Sequence, residues 1–411
     1  MQTKIQKNKK IYLYNEIHLR NNDIYLCRIT TIPMSFEVLL KGQIEYFRDQ
    51  GYEVYTVCGE GEGKIDERNH KYLPLNREIN PWKDLKALWI LYLYLKKIKP
   101  TIVHTHTPKA GLIGMLASIL ALVPIRLHTV AGLPEMETKG FTRKILRLTE
   151  FITGICSTKV YPNSKALLDY MKKHHYISPS KLKVIGNGSS NGLDTDYFNV
   201  TDEIKSKAKE LRELNGISKH SIVFVFIGRL DDHKGLRELQ KAYSVVQGKY
   251  KDSWLLLVGP VEETRGGLNM DTWLAFNRHP QVITPGYQDD VRPWFAASDV
   301  LVFPSYREGF PNVPLQAAAM GLPAIVTDIN GCNEIVQNGV NGLLIPKKSV
   351  NALIDKMLQM IEHPEDRLRM AKTARSLVVE KYNQVEVWRA IENEYQFWLR
   401  QKKLISEKIT L

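Results

Sequence analysis

Short apolar runs alternate with longer stretches of helical periodicity along most of the chain. In the first half the runs are IYLCRITT (24–31), EVYTVC (53–58), TIVHTH (101–106), IRLHTV (125–130), KVYPN (159–163) and KVIGN (183–187). In the second half they are SIVFVFIG (221–228), WLLLVG (254–259), VITPG (282–286), VLVFPS (300–305) and AIVTD (324–328). They are rich in Val, Ile and Leu and lack polar alternation, the pattern of strands buried on both faces; helices between them make the sheets parallel. Two such sets predict an α/β chain of two doubly wound, Rossmann-like domains. A polar, charge-dense stretch places the boundary near 196–215, so the expected units are 24–200 and 201–382. A polar extension, 1–23, precedes them; its Tyr12, Tyr14 and Ile17 either lie on the fold or belong to a mobile arm. A last helical segment, 383–411, carries Trp388, Ile391, Tyr395 and Trp398 on one stripe, which needs a surface to cover it.

Composition narrows the class. With 411 residues, 44% hydrophobic and 25% charged, the chain is globular, which excludes a disordered chain, a collagen and a disulfide miniprotein. Cys27, Cys58, Cys156 and Cys332 form no C-x-x-C pair, so neither a disulfide framework nor a structural zinc site is expected, and a reducing cytoplasmic compartment fits. The basic N-terminus MQTKIQKNKK lacks the apolar run of a signal peptide. The longest apolar stretch, 112–125, is too short to span a bilayer and suits a buried helix.

Charge is uneven. Residues 1–200 hold 29 Lys+Arg against 18 Asp+Glu, a net +11, whereas 201–411 hold 28 against 26, a net +2. Such an excess suggests an anionic partner for the first half: nucleic acid, a membrane surface or a phosphorylated substrate.

The sharpest candidate chemistry is PSYREGFPNVPLQAAAMGLPAIVTD (304–328), an expected strand, turn and helix. Asn312 is the expected N-cap, Pro314 lies in the first turn, and the free amides there suit a diphosphate. Glu308 precedes the turn, where a sugar would sit, and Gln316 falls one turn into the helix, within reach of a ribose. In FIGRLDDHKGL (226–236) a strand ends at Gly228, and Arg229 and Lys234 follow at its carboxyl end, where parallel sheets bind ligands.

Together, GRLDDHKG and EGFPNVPLQAAAMGLP resemble the retaining glycosyltransferases of the GT-B fold, family four. VHTHTPKAGLIG (103–114), HTVAGLP (128–134), GNGSSNGLD (186–194) and PGYQDDV (285–291) extend the resemblance over roughly 24–385. It implies a nucleotide-sugar donor, with UDP favoured and GDP open, and an acceptor that is a glycan or a lipid-linked sugar in surface polysaccharide assembly. It implies further that Arg229 and Lys234 neutralise the donor diphosphate and that Glu308 contacts the donor sugar. The amides of Asn312 and Val313 would hold phosphate, and Gly286 and Tyr287 would wall the base pocket. His106 and Lys109 would approach the cleft from the first domain, and the last helix would cross back to cover that domain. Two positions depart from the family pattern. Gln316 replaces the second acid of E-x7-E, and Ala131 stands where many relatives carry a His; Glu135 and His128 are the nearby polar side chains.

The implied reaction is a front-face displacement with retention, with charge on the departing diphosphate stabilised by Arg229, Lys234 and helix amides, and no metal or other cofactor is expected. Asp194 and Asp196 have D-x-D spacing but read as a turn. On the acceptor side, KALWILYLYLKKIKP (86–100) and FTRKILRLTEFI (141–152) are basic and amphipathic, which suits the inner face of an anionic cytoplasmic membrane and a polyprenyl-diphosphate acceptor. A nucleotide-sugar 2-epimerase of the same fold is the alternative enzyme. A nucleic-acid-binding protein is the alternative from another class; no recognised nucleic-acid module supports it, so nucleic acid is not the expected partner.

Overall fold

The structure, a computed structural model, describes residues 24–405 apart from 77, 79, 137 and 263–266. Tyr12, Tyr14 and Ile17 lie outside the described residues.

Two six-stranded sheets form the frame. The first contains β1 (Tyr25–Ile29), β2 (Glu53–Gly59), β3 (His70–Leu73), β4 (Ile102–Thr105), β5 (Ile125–Val130) and β6 (Lys159–Pro162), in the order β3-β2-β1-β4-β5-β6. The second contains β7 (Ile222–Ile227), β8 (Ser253–Val258), β9 (Val282–Gly286), β10 (Val300–Phe303), β11 (Ala324–Thr327) and β12 (Gly342–Ile345), in the order β12-β11-β10-β7-β8-β9. Every pairing is parallel. Read from β7, the second order repeats the first, so the chain is two doubly wound α/β domains.

Central strands explain why the apolar runs lacked alternation. Leu26, Cys27 and Ile29 of β1, and Val223 to Phe226 of β7, are fully buried, because helices cover both faces of each sheet. Two strands were not among the apolar runs. β3 is a polar edge strand whose central residues, Lys71 and Tyr72, face solvent. β12 is an apolar, mostly buried edge strand that meets the criterion and went unrecognised. Conversely, KVIGN (183–187) is not a strand: Leu182 makes an isolated bridge to Val160, and the chain then enters the turns of GNGSSNG.

The Gln384–Gln401 helix leaves the second domain and packs on the first. Val387, Ile391, Tyr395 and Leu399 belong to the core that contains Leu26, Phe47 and Leu127, while Trp388 and Trp398 flank it half-buried. Beneath it, fully buried Arg28 donates from Nη1 to Tyr395 Oη at 2.5 Å and from Nη2 to Gln43 Oε1. His104 Nδ1 lies 2.6 Å from the same Tyr395 oxygen. All four cysteines are buried and free. No described helix is long and apolar enough to cross a membrane.

Candidate functional site

In each sheet the strand order reverses at one point, between β1 and β4 and between β7 and β10. Loops leaving the carboxyl ends of such strands diverge and open a crevice. The two crevices meet: His106 follows β4, Arg229 and Lys234 follow β7, Glu308 follows β10, and all four line one cleft of ≈ 660 Å³.

Local structure fixes the cationic wall. Gly235 adopts φ +74°, and a Cβ there would lie 2.1 Å from the Pro304 carbonyl oxygen, so this glycine lets the 229–235 loop close on the end of β10. Asp231 Oδ1 accepts from the Lys234 amide at 3.1 Å and holds the turn. Lys234 Nζ then lies 2.6 Å from Glu308 Oε1, with both side chains largely buried. Arg229 is more open; its Nη1 lies 3.1 Å from Glu262 Oε2 and its Nη2 3.8 Å from Asp231 Oδ2.

Sequence reasoning missed two further cations on this wall, Arg307 and Lys347. Lys347 follows β12, the short strand that went unrecognised, so the carboxyl-end rule had no strand to start from. Arg307 adjoins Glu308 and was open to the same rule applied to β10.

The facing wall has a different character. His106 is 2% exposed and neither ring nitrogen has a hydrogen-bond partner. Burial, with smaller contributions from the charges of His104, Arg28 and His128, holds its pKa well below the ordinary imidazole value. His128 Nδ1 pairs with Thr105 Oγ1 at 2.7 Å, and burial lowers its pKa to about 4. Glu150, which the sequence reading did not single out, lines the cleft from the Gly140–Cys156 helix at 6% exposure. Burial, reinforced by nearby Glu135, pushes its pKa up to about 8. Four basic side chains and Glu308 therefore face two imidazoles that burial holds neutral and an acid whose protonated form burial favours.

The walls are joined close to these groups. Asn330 Nδ2 donates to the carbonyls of Glu308 and Gly309 at 3.1 and 2.6 Å, and its Oδ1 accepts from Ser164 Oγ of the first domain at 2.6 Å. Glu334 accepts from the amides of Lys165 and Ala166 at 2.9 and 3.0 Å, at the start of the Lys165–Lys173 helix. Gly309 meets the other domain directly: a Cβ there would lie 1.8 Å from the Ala131 carbonyl oxygen.

Other candidates lie off the cleft lining. Lys109 turns away, pairing with Asp84 at 2.8 Å and with the Glu78 carbonyl. Glu135 is buried behind the wall, where its Oε1 accepts from Tyr170 Oη at 3.0 Å and Arg143 Nε lies 3.6 Å from its other oxygen. Asn312 is not an N-cap: it is the first residue of the Asn312–Ala319 helix, Pro311 holds the cap position, and no side chain caps the end. A proline in the preceding position shifts the helix start by one residue, leaving the first-turn amides of Asn312 and Val313 without a side-chain partner. Gln316 is half-buried on that helix, outside the lining. Gly228 sits at the end of β7, its amide bonded to the Val258 carbonyl at 3.0 Å. Gly286 ends β9, and Tyr287 beyond it is 69% exposed, away from the cleft. Asp194 Oδ1 accepts from the amides of Asp196 and Tyr197 at 3.1 and 2.9 Å, which is a turn.

Residues 221–363 match the family described as Glycosyl transferases group 1, and residues 37–190 match Glycosyltransferase Family 4. The chain is 30% identical over 387 residues to the capsular polysaccharide biosynthesis glycosyltransferase CapM of Staphylococcus aureus, covering 94% of this chain and 100% of the relative. It is also 30% identical over 352 residues to the UDP-Gal:alpha-D-GlcNAc-diphosphoundecaprenol alpha-1,3-galactosyltransferase of Escherichia coli, covering 84% and 89%. Among solved structures, HepE of Anabaena in complex with UDP-glucose superimposes with a TM-score of 0.75 at 18% identity, covering 91% of this chain and 100% of that one. The likeness to HepE establishes the GT-B fold, and the two sequence relatives establish descent: the chain belongs to the family 4 glycosyltransferases.

Proposed function

We propose that this glycosyltransferase moves a sugar from a UDP-sugar to a polyprenyl-diphosphate-linked acceptor, with retention, during assembly of a surface polysaccharide. The observation that carries the reading is the split cleft. A wall with Arg229, Lys234, Arg307 and Lys347 suits a diphosphate, and the uncharged wall opposite suits sugar hydroxyls. In this reading residues 201–382 hold the donor, 24–200 the acceptor, and 383–411 the strap between them. Arg229 and Lys234 offset charge on the departing diphosphate as the acceptor hydroxyl attacks from the same side, and a diphosphate oxygen takes the hydroxyl proton. Protein cations supply the neutralising charge, so the step needs no bound metal. Glu308 and the first-turn amides of Asn312 and Val313 position the donor. The donor and acceptor in the Escherichia coli relative's name, and the UDP-glucose bound to HepE, support these substrate classes.

The reading includes an anionic membrane surface on the cytoplasmic side. The Gly140–Cys156 helix turns its polar and small residues inward, with Glu150, Thr153, Gly154 and Cys156 buried. Phe141, Ile145, Leu148, Phe151 and Ile155 face solvent at spacings of four, three, three and four, one exposed apolar stripe. The Pro81–Ile98 helix adds Trp82, Leu85, Trp89 and Leu93, with Trp82 83% exposed. Arg143, Lys144, Arg147, Lys96 and Lys97 flank these stripes, the pattern of an interfacial surface.

The test is transfer from a panel of UDP-sugars to undecaprenyl-diphosphate-GlcNAc, with the product's anomeric configuration read by NMR. Transfer with retention is expected. An inverted product overturns the mechanism, and acceptor-independent isomerisation of the UDP-sugar shows an epimerase instead.

A further inference from the structure

The Gly140–Cys156 helix has two working faces. Its outer stripe is apolar and exposed, while its inner face delivers Glu150 to the cleft. Glu150 is 6% exposed, and its side chain belongs to the cleft lining. Across the same wall His106 is buried with both ring nitrogens unpartnered. Buried polar groups are nearly always hydrogen-bonded, so an imidazole with two unpartnered nitrogens, on a wall that also carries a buried carboxyl, marks a place where a ligand completes the set.

We propose that Glu150 and His106 form the acceptor-hydroxyl subsite, which binds the uncharged ring of the lipid-linked sugar and not its diphosphate. This rests on the glycosyltransferase reading and deepens it. A protonated carboxyl offers one O–H donor and an acceptor oxygen, and a neutral imidazole offers one donor and one acceptor. A sugar hydroxyl both donates and accepts, so the pair matches it. A second diphosphate fits poorly here, since neither group carries positive charge at neutral pH. The position suits a lipid-linked substrate, because the helix that holds Glu150 also carries the apolar stripe. A sugar at this subsite has its lipid close to the proposed membrane face.

The groups that face Glu150 are known. Glu135 from the 134–136 turn raises its pKa, and Arg143 and Tyr170 both engage Glu135. His128 and His106 share its wall, and Arg229, Lys234 and Glu308 lie on the opposite one. Comparison with Glu150→Gln removes their titration from the result, because they titrate alike in both proteins.

The experiment measures steady-state transfer with the full chain, using undecaprenyl-diphosphate-GlcNAc in detergent and the best UDP-sugar, together with calorimetric UDP binding. Glu150→Ala and His106→Ala are expected to raise the acceptor KM about tenfold or more, with donor KM and UDP affinity within about twofold of wild type. Glu150→Gln, which keeps a donor and an acceptor, is expected to fall between wild type and Glu150→Ala at pH 7. The wild-type acceptor KM is expected to rise above pH 8, and that of Glu150→Gln to stay flat. An unchanged acceptor KM in Glu150→Ala, parallel loss of donor affinity, or identical pH profiles for wild type and Glu150→Gln would overturn the subsite. If Glu150→Ala misfolds, the last comparison still decides. Absence of transfer by the wild-type chain would instead count against the glycosyltransferase substrates proposed above, a separate outcome.

Discussion

Lys234 Nζ lies 2.6 Å from Glu308 Oε1, so the cation proposed for the diphosphate is already engaged by the carboxylate proposed for the sugar. A phosphate entering the cleft competes for Lys234 with Glu308. Removing the carboxylate with Glu308→Gln should leave UDP binding equal or tighter while transfer falls about 10²-fold. Lys234→Ala should weaken UDP and also cut transfer by about 10²-fold, the scale of losing one charge-stabilising donor. Calorimetry beside a transfer assay reads both; equal weakening of UDP in the two variants would contradict this division of roles.

Gly309 meets the Ala131 carbonyl across the cleft with no room for a side chain. Gly309→Val should hold the domains apart, lowering transfer by more than about tenfold, since small misplacements of reacting groups are costly. Small-angle scattering should show a larger radius of gyration while the melting temperature barely moves. Wild-type turnover would show that the contact does not set the working geometry.

Tyr395 Oη serves Arg28 and His104 together. Tyr395→Phe leaves a fully buried guanidinium with Gln43 as its remaining side-chain hydrogen-bond partner among the described residues. The expected loss is about 1–3 kcal/mol, or roughly 2–4 °C of melting temperature per kcal/mol in a domain of this size. Thermal unfolding with the same midpoint as wild type would refute it.

Glu150 has a folded-state pKa of about 8 against an ordinary 4.5. The folded chain holds this proton more tightly, so the group's stabilising effect is full below about pH 4.5 and is lost as pH rises through 8. Glu150→Gln cannot ionise. Its melting temperature should therefore gain on wild type steadily between pH 5 and 8.5, and a constant offset across that range would be the contrary result.

Membrane binding should track the exposed stripe. The pair Phe141→Ser and Leu148→Ser should cut co-sedimentation with vesicles of about 30% phosphatidylglycerol several-fold while leaving UDP affinity intact. High salt should weaken the wild-type interaction. Equal binding to purely zwitterionic vesicles would remove the electrostatic part of the argument.

Most of this architecture was legible because buried parallel strands write continuous apolar runs. Of the strands that were missed, β3 is an edge strand with exposed central residues, where burial leaves little trace, whereas β12 is apolar and mostly buried, so its run was open to the same criterion. The cations at the ends of β7 and β10 were legible as pairs of strand end and charge. Glu150 was not, because its signal is burial on a cleft wall, and a sequence shows a residue without showing which side of its helix faces the cleft. The outward turn of Phe141 and Leu148 was equally hidden: an amphipathic pattern reports two faces and is silent on which one the protein keeps inside.

The Gln384–Gln401 helix gives the molecule an unusual order of completion. Residues 24–200 leave the ribosome before residues 387–399, so their core lacks Val387, Ile391, Tyr395 and Leu399 until the second domain has been made. Until then Arg28 and His104 wait without the tyrosine oxygen they share. The half of the enzyme synthesised first is thus the half that finishes folding last. Chains truncated before residue 384 would emerge with an intact second core and an open first one, a ready target for proteolysis.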